Sequence, residues 1–352
     1  MDTKRHLQRQ KHAHRCRAIL AVVSALVVVG FSAGQDHDFV VRLMQPQATT
    51  KLSRIATVSE VSSIGPAVIL GGRLVVQTQG PTVIEVFDAN GQSLGFLPSR
   101  GDPVRFADRS PMAVIARDTL VILDRRGRQL VFYSGQQPIP HYVRAERLDH
   151  AYVDACSLGN ALLLYRIDGT GAVYVRHQKN GGRQSLLVDS LWTPRPAVQQ
   201  TLNDARLVCD PAGKGFALIG VHSPQVRWYR ADGSIEWQHD IPGYRRIVST
   251  STGSGVFTMS VPRGGYHALM RAVIAADSLL LLQLAIIDTT TLAWGGRRPL
   301  TSHAFEVRSG RPLPSRGFGG DLLASEGNAV WALGDQGLYL TRHAVRAERD
   351  RR

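Results

Sequence analysis

The sequence is poor in the residues that haem, thiol and zinc chemistry require. Its three cysteines, Cys16, Cys156 and Cys209, form no C-x-x-C pair, which excludes c-type haem attachment and a thioredoxin-like redox motif. Beyond residue 34 no two histidines have H-E-x-x-H or H-x-H spacing, and no G-x-S-x-G sequence is followed by a helical pattern, as a nucleophile elbow requires. These absences remove the commonest zinc-site and serine-hydrolase signatures.

Helical periodicity is also missing. After the first 34 residues no segment repeats its apolar residues every 3.6 positions over ten or more residues, whereas short alternating runs recur throughout. The sequence therefore predicts an all-β protein.

Positive charge is concentrated at the N-terminus and scattered elsewhere. Six cations and one acid precede residue 18, so five of the 14 net positive charges lie there. The remaining cations are nearly all single arginines, a distribution that favours solubility and an acidic partner and excludes a shaped site for specific nucleic-acid binding.

The basic N-terminus precedes an uncharged apolar run, Ala18 to Gly34. Ser32 and Gly34 fit the small residues before a cleavage site, so residues 1–34 are predicted to be a signal peptide or an uncleaved signal-anchor. No cysteine follows the run and no twin-arginine pair precedes it, which favours Sec-type export without lipidation. Both alternatives place the protein outside the cytoplasmic membrane, in the periplasm, secreted or tethered by the N-terminal segment.

In an oxidising compartment Cys156 and Cys209 could form a disulfide. The sequence leaves this open. We favour two buried thiols, because equivalent positions of neighbouring repeats usually lie farther apart than the Cα spacing of about 5.5 Å that a disulfide needs.

A hairpin pattern recurs along the chain. "VIEVFDANGQSLGFL", which begins at Val83, places Asn90-Gly91 between two alternating apolar runs, and related copies begin at Gln129, Ala172, Gln225 and Ala304. Six runs of β-branched residues and leucine accompany these copies: five precede a copy and the sixth follows the last one. A buried strand, a turn, an alternating strand and an outer strand, repeated every 40 to 50 residues, is typical of a β-propeller blade.

The phrase "VFDANGQSLGFL", followed by "RGDPVRF", resembles the blade signature of bacterial secreted six-bladed β-propellers related to the NHL and TolB-like proteins. "DTLVILDRRGRQLVFY" and "WYRADGSIEW" fit the same template. The resemblance implies six blades over residues 59–342, preceded by an extension, 35–58, and followed by a basic tail, 343–352.

Two features of the repeat need an additional explanation. The unit from Gly233 to Gly310 is overlong, so an inserted hairpin is favoured and a seventh blade is the alternative. The last repeat also lacks an outer strand, which "DFVVRLMQP" (Asp38) or "KLSRIATV" (Lys51) can supply. We therefore expect both ends of the chain to share one sheet.

The resemblance also introduces an enzymatic alternative, because six-bladed relatives include calcium-dependent lactonases and esterases. Calcium needs six to eight oxygen ligands. The candidate ligands are four acids and one amide near the predicted inner strands: Glu60, Asp154, Asp204, Asp277 and Asn203. Capping of turns by these side chains explains their positions equally well.

Tryptophan and arginine residues outside the strand patterns are the candidates for a contact surface: Trp192, Arg195, Trp294, Arg297 and Arg298. Trp228 and Trp331 lie inside strand patterns and are predicted to be core. Because turns and core explain the repeat residues, the sequence favours a monomeric, non-catalytic binding or scaffold module without a cofactor. Its partner would be a protein, peptide or glycan of the cell envelope. A calcium-dependent hydrolase is the alternative.

Overall fold

The computed structural model describes ten stretches of the chain: residues 39–51, 66–77, 83–106, 110–177, 182–195, 197–251, 257–289, 300–314, 320–334 and 339–349. The predicted signal segment, 1–34, lies outside the described residues. Within them, no helix is long and apolar enough to cross a bilayer.

The first half of the described chain forms three four-stranded antiparallel sheets. The strand that precedes them is β1, Phe39–Lys51. Blades 1, 2 and 3 consist of β2 (Ala67–Leu70), β3 (Arg73–Gln77), β4 (Ile84–Phe87) and β5 (Ser93–Leu97); β6 (Met112–Ile115), β7 (Thr119–Asp124), β8 (Gln129–Ser134) and β9 (His141–Arg147); and β10 (Asp154–Leu158), β11 (Ala161–Arg166), β12 (Ala172–His177) and β13 (Gln184–Val188).

The second half forms three further blades and a separate hairpin. In chain order the strands are β14 (Ala205–Cys209), β15 (Gly215–Gly220), β16 (Gln225–Arg230) and β17 (Ile235–Asp240) of blade 4; the hairpin β18 (Val248–Ser251) and β19 (Phe257–Ser260); β20 (Tyr266–Ala275), β21 (Leu279–Ile287), β22 (Leu300–Glu306) and β23 (Pro312–Leu313) of blade 5; and β24 (Asp321–Glu326), β25 (Ala329–Gly334) and β26 (Tyr339–Arg349) of blade 6.

The six innermost strands form a closed ring. β2 contacts β6, β6 contacts β10, and the series continues through β14, β20 and β24 back to β2. The protein is thus an all-β, six-bladed propeller, as the sequence predicted. The additional strands of the overlong unit are the hairpin β18–β19 between blades 4 and 5, rather than a seventh blade.

Both ends of the chain share blade 6. β1 pairs antiparallel with β26, from Phe39 opposite Arg349 to Lys51 opposite Tyr339, and supplies the outermost strand in the order β1-β26-β25-β24. This pairing removes an open sheet edge that the last blade would otherwise expose.

The repeated hairpin has a local cause. In blade 1, Asp88 Oδ1 accepts the backbone N–H groups of Asn90 and Gln92 at 2.9 and 2.8 Å. Gly91 has a φ of +81°, which costs glycine little because it has no Cβ. The Asp-x-x-Gly sequence therefore closes the turn between β4 and β5.

The core lies between blades. One apolar cluster joins the facing sides of blades 4 and 5, with Trp228 and Phe305 at its centre, and a similar cluster joins blades 1 and 6 around Trp331. Trp228 and Trp331 are buried, as the sequence predicted. Each blade therefore depends on both neighbours for the burial of its two faces.

Candidate functional site

The two ends of the propeller differ in their connections. We use "turn face" for the end at which the first strand of each blade joins the second and the third joins the fourth. Its connections between the described strands have two to six residues. Between successive described strands of the blades, every connection longer than seven residues begins and ends at the opposite end, the "loop face": 52–66, 98–111, 189–204, 241–265 and 288–299. Binding residues are found disproportionately on such loops.

A cavity of about 780 Å³ occupies the channel between the inner strands. Small and apolar side chains, such as Ala67, Ala113, Val208 and Ala272, form most of its wall. Turns at the turn face complete the lining. Its size and character are within the range of small-molecule sites.

Cys156 and Cys209 form a disulfide in this channel wall. Our preference for free thiols is therefore wrong. Cys156 lies on β10 and Cys209 on β14, and their Cα atoms are 5.7 Å apart, because innermost strands of adjacent blades converge at the channel. The equivalent positions of outer strands would diverge.

The proposed calcium ligands lie at different ends of the channel. Asp154 begins β10, and Asn203 and Asp204 precede β14, all at the loop-face end. Asp277 is exposed in the turn after β20, at the turn face. Glu60 lies outside the described residues. Among the residues that the structure describes, no group of three or more His, Cys, Asp or Glu side chains could hold a metal ion.

Asp154 and Asn203 have protein partners. Asp154 Oδ1 accepts the N–H of Ala155 at 3.0 Å, and Oδ2 accepts the N–H of Leu207 in the next blade at 2.8 Å. Burial raises the pKa of Asp154 to about 6, although the Arg206 charge and these two N–H groups oppose the shift. Asn203 Oδ1 accepts a hydrogen bond from Arg195 Nε at 2.9 Å.

Trp192 is half-buried at the base of loop 189–204. Its indole N–H donates to the Tyr165 hydroxyl at 2.8 Å, and the Arg227 guanidinium lies 4.8 Å from the ring centre. Arg195 is held by Asn203 in the same loop. These contacts position the loop, and they leave Thr193 and Pro194 exposed. Trp294, Arg297 and Arg298 lie outside the described residues.

The hairpin β18–β19 projects from the connection between blades 4 and 5, at the loop face. Ile247 and Val261, at its base, pack on an apolar cluster at the loop-face end of β20 and β21. Beyond the base, the side chains of residues 248–250 and 258–260 are exposed. They include Val248 and Met259, which are 45% and 53% exposed. An isolated two-stranded hairpin is only marginally stable in water.

The base of this hairpin is basic. Arg245 and Arg246 precede it, Arg263 follows it, and no acidic residue occurs from 241 to 276. Arg245 pairs its backbone with His267: its carbonyl accepts the His267 N–H at 2.8 Å, and its N–H donates to Nδ1 at 3.0 Å. Burial, together with the nearby Arg245 charge, lowers the pKa of His267.

Three features were not predicted from the sequence: this exposed hairpin as a contact surface, and the channel-lining residues Arg117 and Glu326. The absence of acidic residues from 241 to 276 is the feature of the sequence that could have indicated the hairpin surface. Arg117 and Glu326 are single charges in turns that are distant in sequence, and only the ring brings them to one cavity.

No protein-family model matches the chain, and the search of curated proteins found no match. Solved structures that resemble it include virginiamycin B lyase from Staphylococcus aureus, with 9% identity, 86% of this chain and 99% of the other covered, and a TM-score of 0.44. The Swd1 β-propeller domain of Myceliophteria thermophila has 10% identity, with 86% and 99% covered and a TM-score of 0.41. BamB from Moraxella catarrhalis has 13% identity, with 79% and 69% covered and a TM-score of 0.36. At this identity the likeness concerns the fold alone.

Proposed function

We propose that this protein is an exported, non-catalytic binding module that recognises an acidic macromolecular partner with its loop face. The single observation that carries the proposal is the exposed hairpin β18–β19 on its basic base. Connection 189–204 joins blade 3 to blade 4 and connection 241–265 joins blade 4 to blade 5, so their described residues lie on neighbouring parts of the loop face.

The hairpin offers both contact area and charge. Val248 and Met259 supply exposed apolar surface, and Arg246 is two-thirds exposed in a weak pair with Asp240, at 3.5 Å. Such a surface pair contributes little to stability, so Arg246 can exchange this partner for a carboxylate or phosphate group of a ligand. An envelope protein, an acidic peptide or an anionic glycan has the required chemistry.

Export is supported by the disulfide and by the N-terminal sequence. Disulfides persist in oxidising compartments and are rare in the cytosol, and the charge and apolar pattern of residues 1–34 is typical of an export signal. The resemblance of the hairpin repeat to secreted NHL and TolB-like propellers agrees with this location. We therefore propose that the protein lies in the periplasm, outside the cell, or tethered to the membrane by the N-terminal segment.

Nothing in the described residues favours the calcium-dependent hydrolase. The candidate acids Asp154 and Asp277 lie at opposite ends of the channel, and both carboxylate oxygens of Asp154 already accept backbone N–H groups.

Site-specific photocrosslinking in the producing cells tests the proposal. A photoreactive amino acid at Met259 should yield a defined adduct. The same probe at Asp232, an exposed turn-face position in blade 4, is the matched control and should not. Reversing the charge with Arg245→Glu and Arg246→Glu should reduce the Met259 adduct about tenfold or more, as expected for the loss of charge-assisted contacts. Adducts that form equally from positions 259 and 232, or that persist after charge reversal, would contradict it.

A further inference from the structure

We propose that the turn-face end of the channel is a second binding site, for a small zwitterion such as an amino acid or a short peptide with free amino and carboxyl groups. This site is independent of the loop-face partner proposed above. The cavity of about 780 Å³ is large enough for a ligand of this class.

The mouth of the cavity carries one cation and one anion. Arg117 lies in the turn after β6 of blade 2, and Glu326 ends β24 of blade 6. Both line the cavity and both are exposed. Among the described residues neither side chain has a hydrogen-bond or ion-pair partner. Opposite charges that share a cavity without pairing with each other are complementary to a ligand that carries both.

The turn of the blade between these two residues leaves open space around it. Blade 1 lies between blades 6 and 2 in the ring, and its turn at the mouth is Gly71–Gly72. A Cβ added to Gly72 would have no neighbour within 4 Å. A ligand can therefore lie across this turn, with its carboxylate on Arg117 and its ammonium group on Glu326.

Arg117 has a left-handed backbone conformation that is unfavourable for residues other than glycine. Ala116 and Arg117 have φ angles of +52° and +67°, which cost a residue with a Cβ considerably more than glycine. The equivalent turns of blades 1, 3 and 6 begin with Gly71, Gly159 and Gly327. The same strain occurs at Ala276 and Asp277 of blade 5, neither of which lines the cavity. The strain at Arg117 therefore supports the site only together with its position in the cavity lining.

The apolar wall beyond the mouth completes the site. Ala67, Ala113 and Ala324 line the cavity, so an apolar ligand side chain can leave water when the two charged ends bind. The chemistry is binding alone, with no covalent step.

Calorimetric titration with three probes tests the site: alanyl-leucine, its N-acetyl derivative and its C-terminal amide. The free dipeptide should bind saturably, and each blocked form should bind about 10- to 100-fold more weakly because it loses one charge-assisted contact. Arg117→Gly and Glu326→Gln should each reduce affinity for the free dipeptide by a similar factor. Arg117→Asn is a second variant without the guanidinium, and asparagine also adopts the left-handed conformation. A loss of affinity in both variants would therefore not be due to the backbone flexibility of glycine.

The matched control is Asp277→Gly. Ala276 and Asp277 have φ angles of +51° and +50° in the corresponding turn of blade 5, and Asp277 does not line the described cavity. This variant should keep full affinity. Gly72→Asn should weaken binding by filling the open space. Absence of saturable binding by the free dipeptide, equal binding by all three probes, or undiminished binding by the Arg117 variants would each overturn the proposal.

Discussion

Gln283 accepts the backbone N–H of Leu322 at 2.7 Å and so joins the second strand of blade 5 to the innermost strand of blade 6. Its amide N–H donates to the carbonyl of Gly320 at 2.7 Å, and the side chain is fully buried. Gln77 makes a related contact between blades 1 and 2, where Oε1 accepts the N–H of Ser110 at 3.1 Å. Buried glutamines thus hold adjacent blades together.

Gln283→Leu should destabilise the protein, because the Leu322 N–H and the Gly320 carbonyl lose their partner. An unsatisfied buried group costs about 1–3 kcal/mol, so we expect a loss of about 2–4 kcal/mol in the free energy of unfolding, measured by urea denaturation. Gln238→Leu, at an exposed position of β17, is the control and should change the free energy of unfolding by less than about 0.5 kcal/mol. Equal effects of the two substitutions would show that the contact contributes nothing.

Asp154 should make stability depend on pH. Its folded pKa, about 6, lies above its ordinary value of 3.8, so the folded protein holds the proton more tightly than the unfolded chain. This contribution is fully present below about pH 4 and is lost as pH rises through about 6. Relative to Asp154→Asn, the wild type should lose about 2–3 kcal/mol of unfolding free energy between pH 4 and pH 7. Parallel pH profiles of the two proteins would contradict this.

The Cys156–Cys209 disulfide closes a separation of 53 residues. In the chain-entropy account, a loop of this size stabilises by about 4 kcal/mol, and measured effects are usually about 2–4 kcal/mol. The double variant Cys156→Ser and Cys209→Ser should lose stability of this order, and reductant should then have no further effect on it. Peptide mapping without reduction should recover the linked pair from the purified protein. Recovery of two free thiols would rule the bond out.

The left-handed turns allow a reciprocal test. Ala116→Gly should stabilise the protein by about 1 kcal/mol, because the strain of a Cβ at a φ of +52° is removed. Gly159→Ala should cost about 1–2 kcal/mol. Gly159 has a φ of +59° with no atom within 4 Å of an added Cβ, so strain alone would act. Thermal unfolding of both variants measures the two changes, which should have opposite signs.

Much of the fold could be predicted from local patterns. Asp88 and Gly91 close their turn through neighbouring atoms, so the hairpin is visible in the sequence, and Trp228 is core because its strand alternates. The disulfide depends on the convergence of two inner strands. The spacing of the two cysteines in the sequence does not predict this convergence. The left-handed conformation of Ala116 was equally hidden, because neither alanine nor arginine favours it.

The candidate site was less predictable than the fold. Trp192 and Arg195 were identified as unusual loop residues. The contact of Arg195 with Asn203 lies within one loop, whereas the contact of Trp192 with Tyr165 joins that loop to a strand that only the blade brings close. Arg117 and Glu326 belong to different blades and have no common motif. A site built from turns of separate repeats becomes visible only when the ring is closed.

Pairing of β1 with β26 has a consequence for when the protein can fold. The outermost strand of blade 6 comes from the start of the chain and the other three from its end, so the ring cannot be completed until the whole polypeptide is available. Contacts between residues so distant in sequence form slowly, because a large loop must close before they contribute. A partly synthesised or partly translocated chain therefore retains an open edge. In an exported protein, as proposed above, completion of the last sheet after passage through the membrane would keep the chain in a state that a translocation channel can accept.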